Sequence, residues 1–427
     1  MEHIIKNYSE LATSPLRKDA LDILEAGYGA IMTKNAIHRC LATDDGNLKI
    51  MNFEFRREDY NRIFFVGIGK CAVDAGLAVE EILGEKITDG VIVDVKEGTF
   101  KKMRSFLGTH PFPSEQNVLA AKEVAEMLKN LTEKDLVLTV ISGGGSSLLS
   151  LPHGISPEML TKITKTLMDK GAPIGEVNII RKHLSDIQGG FLAKMAYPAT
   201  VISLLFSDVP GNDISTIASG PTVLDKSTKK DAEELIERYE ILKECGLQSL
   251  DIVETPKEEK YFREVHNLLI VTNLIALDAM TEKAKELGYF SLICTDCGVG
   301  EAREFGKKMV SEERAKGCYF YGGETTVTSF GKRGKGGRNQ EVVLGALPHI
   351  GDNMVIVAAA SDGWDNGESA GAMGDKELFV LAEQKGISPK VFLDENNSFE
   401  FFEKAGGHIF TGRTGANVAD LYFVLTK

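Results

Sequence analysis

LVLTVISGGGSSLLS, residues 136–150, joins an apolar run directly to a loop rich in glycine and serine. The run 136–141 predicts a strand that is buried on both faces, which is typical of parallel sheet. The glycines at 143–145 allow the backbone to turn sharply or to approach a ligand closely. Residues 142–147 would expose successive N–H groups and hydroxyls at the start of a helix, which is a ready anion site. By itself the stretch fits a tight turn as well as a phosphate cradle.

Apolar strand candidates alternate with helical patterns along the whole chain. The strand candidates are 62–67, 90–95, 136–141, 200–206, 267–272, 290–294, 317–321 and 354–360. This alternation predicts βαβ units and an α/β fold with parallel sheet. A chain of 427 residues exceeds one ordinary core, so we expect two domains, 1–250 and 251–427, with the N-terminal helix free to pack on the second.

Composition and charge exclude several classes of function. The net charge of −13 argues against nucleic acid or an anionic membrane surface as a partner. No stretch approaches the roughly 18 apolar residues of a membrane span, and the charged chain start is unlike a signal peptide. We therefore expect a cytoplasmic protein. Of the six cysteines, Cys294 and Cys297 form a lone CxxC, which favours an ordinary turn after a strand over a zinc or redox site.

Several of the apolar strands end in clusters of small, polar or charged residues. In open α/β sheets, ligands bind beyond the carboxyl ends of the strands, where such loops collect. Five clusters together indicate the site of an enzyme. The clusters are 67–70, 142–147, 207–213, 322–326 and 361–366.

Two basic residues stand beside these loops. Lys70 precedes a predicted helix, where a positive charge opposes the helix dipole, so we expect it to face an anionic ligand. Arg338 follows two glycines, and its planar fork suits a carboxylate or a phosphate. The loop at Gly67 lacks the third glycine of a dinucleotide fingerprint, and Gly69-Lys70 lacks the earlier glycine and the hydroxyl of a P-loop.

Five carboxylates lie at the strand ends, and each is also typical of a helix cap or a turn. Phosphoryl transfer uses one or two carboxylates to hold Mg²⁺, and it can use another to accept the proton of the substrate hydroxyl. His110 is a further candidate ligand or base. The carboxylates are Asp208, Asp213, Glu324, Asp362 and Asp365.

Long motifs of the chain resemble the class II glycerate kinase family, whose C-terminal region is the MOFRL domain. The resemblance implies ATP-dependent phosphorylation of D-glycerate, typically on its 2-hydroxyl, with Mg²⁺. It also implies two α/β domains, a Rossmann-like one with a three-layer parallel sheet and a mixed MOFRL-type one, with the active site in the cleft between them. The motifs are ISGGGSSLL (141–149), GAPIGEVNIIRKHLSDIQGG (171–190), LFSDVPGNDISTIASGPTV (205–223), GGETTVTSFGKRGKGGRNQE (322–341), ASDGWDNGESAGAMGD (360–375) and NNSFEFFEKAGGHIFTGRTGANVADL (396–421).

The resemblance also implies roles for individual residues. The catalytic set is Lys70, Arg338, Asp208 and Asp362. Asp208 and Asp213 are the expected metal ligands. The residues expected to bind substrate or phosphate are Ser142, Gly143, Gly144, Gly145, Ser146, Ser147, Glu324 and Asn339.

The chain departs from the family pattern at two loops. Glu368-Ser369 leaves out an aspartate that is usual there, and Arg413 stands where proline is usual. We expect only small-molecule partners, D-glycerate and ATP, and a monomer or homodimer. The alternatives are a kinase that forms 3-phosphoglycerate, an NAD(P)H-dependent hydroxypyruvate reductase, and a nucleotide- or sugar-phosphate-binding regulator without turnover.

Overall fold

The computed structural model describes residues 3–44, 47–312, 315–328 and 334–427. They form two compact units. The first unit is Ala36–Ile270, and the second unit combines the residues up to Asn35 with the described residues from Val271 onward. Among the helices so described, none is both long and apolar enough to cross a bilayer.

The elements follow one another in an alternating order. The second unit begins with α1 (Tyr8–Leu11) and α2 (Pro15–Ile31), and α3 (Thr33–Cys40) leads into the first unit. The first unit continues with β1 (Leu41–Asp44), β2 (Asn47–Ile50), β3 (Phe53–Phe55), β4 (Arg62–Ile68), α4 (Ala72–Leu83), β5 (Ile87–Asp94), β6 (Met103–Leu107), α5 (Glu115–Met127), β7 (Asp135–Ile141), α6 (Gly145–Leu148), α7 (Pro157–Asp169), α8 (Ile174–His183), α9 (Phe191–Ala196), β8 (Thr200–Phe206), α10 (Lys229–Arg238), α11 (Ile241–Cys245) and β9 (Val265–Val271). The second unit resumes with α12 (Asn273–Glu286), β10 (Ser291–Gly298), α13 (Ala302–Ser311), β11 (Gly317–Gly323), α14 (Arg338–Ala346), β12 (Met354–Ala360), β13 (Gly371–Asp375), α15 (Lys376–Gln384), α16 (Pro389–Asp394), α17 (Ser398–Ala405), β14 (His408–Ile409) and β15 (Asp420–Thr426).

The first unit is built around a six-stranded sheet with the order β6-β5-β4-β7-β8-β9. The ladders from β6 through β8 are parallel. Phe64, Val66 and Ile68 of β4 face a core that includes residues of α5 and α9. On the opposite face, a Cβ placed on Gly67 would lie 3.3 Å from the Cβ of Ala72 in α4. Helices therefore cover both faces, which explains why every residue of β7 and β8 is buried.

The second unit contains a mixed sheet with the order β10-β11-β15-β12-β13-β14. Only β10 and β11 pair in parallel, and the other ladders are antiparallel. The N-terminal helix α2 belongs to this unit, because Tyr28 donates to the Ala360 carbonyl (2.9 Å) and Arg17 pairs with Asp375 (2.6 Å). Ser14 caps α2 by accepting from the Arg17 N–H, and Pro15 opens its first turn.

The predicted fold class is confirmed, since a parallel-sheet unit and a mixed-sheet unit are both present. The units divide near Ile270, whereas the sequence placed the boundary after residue 250, because β9 still belongs to the first sheet. The predicted turn at Cys294 and Cys297 is wrong. Both residues lie inside β10, whose pairing with β11 continues through register shifts to Gly298.

His408 offers a test of the packing of the second unit by pH. It lies among the rings of Phe399, Phe402 and Phe410, with centroids at 4.6, 5.8 and 5.3 Å. Burial lowers the pKa of His408 to about 4, so the folded state holds the neutral imidazole. The unfolded chain binds a proton near pH 6.5, and the stability contributed by His408 is therefore complete above pH 6.5 and lost as the pH falls toward 4.

We expect the free energy of unfolding to fall by about 2 kcal/mol more in the wild type than in His408→Gln between pH 7.5 and pH 5. Glutamine does not titrate, and the carboxylates common to both proteins cancel in the comparison. Urea unfolding of both proteins at both pH values measures the difference. An equal loss in the two proteins would show that His408 is protonated in the folded state.

Candidate active site

The loops after β4 and β7 lie side by side, because these strands are parallel neighbours in which Ile68 pairs with Ile141. The Ser142 N–H donates to the Ile68 carbonyl (2.9 Å), and the Lys70 N–H donates to the Gly143 carbonyl (3.1 Å). Gly69 has a φ of +112°, and a Cβ there would overlap the Ser142 backbone. Two of the predicted strand-end clusters are therefore joined into one structure.

Gly144 is in close contact with side chains from two other loops, those after β4 and β6. Its φ is +82°, and a Cβ would lie 3.0 Å from Cδ2 of His110 and 3.2 Å from Cε of Lys70. Within the described chain, the N–H groups of Gly143 and Gly144 have no acceptor, and the exposed Lys70 ammonium has no carboxylate within 4.0 Å. Unpaired N–H groups beside a cation are suited to an anionic ligand.

His110 is held in its neutral form beside this loop. Burial lowers the pKa of its imidazole, and the positive charge of Lys70 lowers it further. The ring is therefore uncharged at neutral pH. One of its nitrogens can donate a hydrogen bond and the other can accept one.

The three serines of the loop have different local roles. Ser142 Oγ donates to the Ile68 carbonyl (3.3 Å) and accepts from the Cys71 N–H (3.4 Å). Ser147 Oγ donates to the Pro111 carbonyl at 2.5 Å. These two hydroxyls hold the loop in place. Ser146 instead shares a hydrogen bond of 2.9 Å with Ser219 and is half-buried.

Asn117 is a supporting residue that sequence reasoning missed. It is fully buried, and its Nδ2 donates to the carbonyls of Ser147 (2.9 Å) and Thr109 (3.0 Å). Its Oδ1 accepts from the N–H groups of Thr109 and Ser114. The signal in the sequence was an asparagine three residues after Ser114, where it completes a capping box at the start of α5.

The carboxylates after β8 differ in their surroundings. Asp208 is half-buried and lies against Gly143, where any Cβ would overlap its carboxylate. Asp213 is exposed, and its carboxylate accepts from the Ser215 N–H (2.9 Å) to close a turn. Across the described ranges, no three His, Cys, Asp or Glu side chains are grouped to hold a metal. Magnesium generally needs only one or two carboxylates beside substrate phosphates, and Asp208 is placed suitably for that role.

In the second unit, Arg338 begins α14 and is paired with two carboxylates. Its Nε and Nη2 donate to Asp420, and its Nη1 lies 2.8 Å from Oε1 of Glu324. Burial alone would lower the pKa of Arg338, but the bonds to Asp420 and the nearby negative charges raise it. Asp420 also accepts from the hydroxyl of Tyr422 (2.9 Å). The guanidinium fork is thus occupied within the protein, and neither Asp420 nor Tyr422 was a predicted site residue.

Asp365 caps the same helix from a neighbouring loop. Its carboxylate accepts from the backbone N–H groups of Asn339 (3.0 Å) and Gln340 (2.8 Å) and from both of their side-chain amides. Gly337 permits this approach, because a Cβ there would overlap the Asp365 carboxylate. Burial raises the pKa of Asp365 to about 6. Asn339 thus donates to Asp365 from both its backbone and its side chain. The Oδ1 of Asn339 is buried and has no partner in the described chain.

Asp362 lies just after β12, beside Arg413, which stands where the family usually has proline. Its carboxylate accepts from the Trp364 N–H (2.9 Å) and lies 3.5 Å from Nη1 of Arg413. The Arg413 guanidinium stacks 4.2 Å above the Trp364 ring. Burial raises the pKa of Asp362, so its carboxylate is a stronger base than that of an exposed aspartate.

The fold and these strand-end constellations define a two-unit α/β protein with a glycine-rich loop that lies beside the side chain of Lys70. The family model described as "Domain of unknown function (DUF4147)" matches residues 19–251, and the MOFRL family model matches residues 317–420. A Pyrococcus horikoshii protein named glycerate 2-kinase is 37% identical, covering 96% of this chain and 97% of its own. The crystal structure of a glycerate kinase from Thermotoga maritima matches with a TM-score of 0.84 and 33% identity, covering 96% of this chain and 99% of that one.

A protein of Agrobacterium vitis provisionally named a hydroxypyruvate reductase is 34% identical over 90% of this chain and 92% of its own. The two family models together match most of this chain. The chain belongs to the MOFRL family of glycerate kinases.

The cap on α14 leads to a prediction about stability. Replacing Asp365 by asparagine would turn an NH2 donor toward the N–H groups of Asn339 and Gln340, which would leave part of this set of donors without an acceptor. We expect Asp365→Asn to destabilise the second unit by about 2–3 kcal/mol at pH 8. Denaturant unfolding measures the loss. The exposed Asp352→Asn is the matched control and should change stability by less than about 0.5 kcal/mol; equal effects of the two changes would contradict the capping role.

Proposed function

We propose that this protein transfers the γ-phosphoryl group of ATP to the 2-hydroxyl of D-glycerate. The relatives named glycerate 2-kinase support the substrate and the reaction. Two observations in this chain carry the proposal. The side chain of Lys70 lies against Gly144, and the N–H groups of Gly143 and Gly144 have no acceptor in the described chain. A transferring phosphate needs such donors, because its catalysis consists mainly of positioning and charge stabilisation.

In the proposed reaction, the 2-hydroxyl oxygen of glycerate bonds to the γ-phosphorus while the bond from that phosphorus to the leaving ADP oxygen breaks. Lys70 and the amides of Gly143 and Gly144 would hold the transferred oxygens in line. Bound Mg²⁺ would offset the charge of the phosphate oxygens. Asp208 is the carboxylate of this chain best placed to hold the ion, because it lies against Gly143.

The proton of the hydroxyl would pass to a carboxylate. Asp362 is a candidate because burial raises its pKa, and Asp208 is the other candidate. The guanidinium of Arg338 already pairs with Asp420 and Glu324. Arg338 would therefore act indirectly, by holding Glu324 in a fixed position for the substrate. That the residues of the two units act on one substrate stays a prediction.

The product distinguishes this function from its alternatives. With Mg-ATP and D-glycerate, we expect signal through enolase alone, which consumes 2-phosphoglycerate. A signal that requires phosphoglycerate mutase in addition would indicate phosphorylation of the 3-hydroxyl. Oxidation of NADH by hydroxypyruvate in the absence of ATP would instead support the reductase, and ligand binding without turnover would support a regulator.

The role of Lys70 is tested by Lys70→Met, which keeps the length of the side chain and removes the charge. We expect kcat/KM to fall by at least about 100-fold, because a donor to the transition-state charge is lost. Lys129→Met is the matched control in the same unit, since Lys129 is exposed and pairs only with Glu126. Steady-state kinetics of both variants decide the point, and a Lys70→Met enzyme as active as Lys129→Met would remove Lys70 from the mechanism.

A further inference from the structure

Arg181 in the last turn of α8 differs from the two basic residues that follow it. Lys182 pairs with the buried carboxylate of Asp225 (3.2 Å), and His183 Nδ1 lies 2.9 Å from the Ile179 carbonyl. Arg181 makes one hydrogen bond within the described chain, from Nη1 to Oδ1 of Asn178 (3.1 Å). A guanidinium carries five N–H donors, so most of those of Arg181 have no protein acceptor there.

Arg181 is half-buried, and its unpaired N–H groups keep access to solvent. Burial lowers the pKa of its guanidinium, and no carboxylate of the described residues counteracts the effect. A buried charge is normally paired, because its lost hydration must be replaced by an opposite charge or by hydrogen bonds. The unpaired fork is therefore suited to an anion supplied from outside the chain.

Asn178 links Arg181 to the glycine-rich loop. The same Oδ1 accepts from the hydroxyl of Ser219 (3.3 Å), and Ser219 shares its hydrogen bond of 2.9 Å with Ser146. The Ser146 carbonyl accepts from Nε2 of Gln188 at 2.7 Å. The guanidinium of Arg181 and the hydroxyl of Ser146 in the glycine-rich loop thus belong to one hydrogen-bonded network inside the first unit.

The backbone around Ser219 is strained to make this connection. Ala218 and Ser219 are both buried and have φ values of +50° and +60°. Residues with a Cβ rarely adopt such values, and they do so where the surrounding structure imposes them. Gly145 makes room for Ala218, because a Cβ on residue 145 would overlap the Cβ of Ala218. Strain of this kind is common where ligands are held.

We propose that Arg181, which Asn178 links to Ser219 and Ser146, binds an oxyanion of a substrate with its unpaired N–H groups, either the carboxylate of the hydroxy acid or a phosphate of the nucleotide. This inference rests on the proposed function. Because the guanidinium of Arg338 is already paired, it is not free to bind the carboxylate of the substrate. The guanidinium of Arg181 can donate two parallel hydrogen bonds to a carboxylate. The competing explanation is that Arg181 merely compensates the negative end of the α8 dipole.

The experiment compares Arg181→Met and Arg181→Lys with the wild type. Arg238→Met is the matched control, since Arg238 is exposed and pairs with Glu176 (2.8 Å), which lies on α8 as Arg181 does. The KM values for D-glycerate and for ATP are measured separately, and calorimetric titration with each compound measures binding without turnover. A carboxylate site predicts a KM and a Kd for D-glycerate about 10- to 100-fold higher in Arg181→Met, with those for ATP unchanged.

A rise confined to the ATP constants would assign the site to a nucleotide phosphate and would equally support an oxyanion site. Methylguanidinium ions should restore part of the lost binding to Arg181→Ala, which a purely structural arginine would not predict. Constants within about twofold of the wild type in Arg181→Met and Arg181→Lys would overturn the proposal, as would a change in thermal stability alone. Where Arg181→Met does not fold, Arg181→Lys and its constants decide.

The binding arm separates this inference from the proposed function. Binding of D-glycerate or ATP that depends on Arg181 in a wild-type protein without turnover would retain the oxyanion site and reject the kinase. Turnover that is unaffected in the Arg181 variants would retain the kinase and reject the oxyanion site. A wild-type protein that binds neither compound would overturn both.

Discussion

The parallel pairing of β4 with β7 is the constraint on which the candidate site of the first unit depends. It begins at Arg62 and Asp135, which form an ion pair of 2.7 Å, and it runs without a register shift to Ile68 and Ile141. Because both strands end at the same level, their loops must meet. The hydrogen bond from the Lys70 N–H to the Gly143 carbonyl is a direct consequence. A shift of one residue would turn each buried side chain of the strand to the opposite face.

The candidate basic residues of the two units differ in whether a carboxylate pairs with them. In the first unit, Lys70 and Arg181 lack carboxylate partners among the described residues, and two glycine amides lack acceptors. In the second unit, Arg338 is paired with Asp420 and Glu324. The first unit is therefore suited to hold anions. The second unit, where burial raises the pKa of Asp362, is better suited to accept a proton.

Much of the fold was predictable because burial on both faces produces long apolar runs. The predicted strands 200–206 and 354–360 coincide with β8 and β12. Strands β13 and β15 were not predicted from the sequence. Residues 371–375 of β13 have little intrinsic strand preference and are held by pairing with β12 on one side and β14 on the other. The central strand β15 joins β11 and β12, and this position depends on partners far away in the chain.

The sequence by itself determined which loops carry the candidate chemistry, because glycines, serines and charges directly after apolar runs are local features. It therefore predicted Lys70, the 142–147 loop and the strand-end carboxylates. Only the tertiary structure decided which of these groups are already used. Ser142 and Ser147 hold the loop, Arg338 is occupied by Asp420, 82 positions away, and Arg181 lacks a carboxylate partner in the described chain. The physical reason is that a side chain's partners come from several strands and helices, and their identity is fixed only when those elements pack.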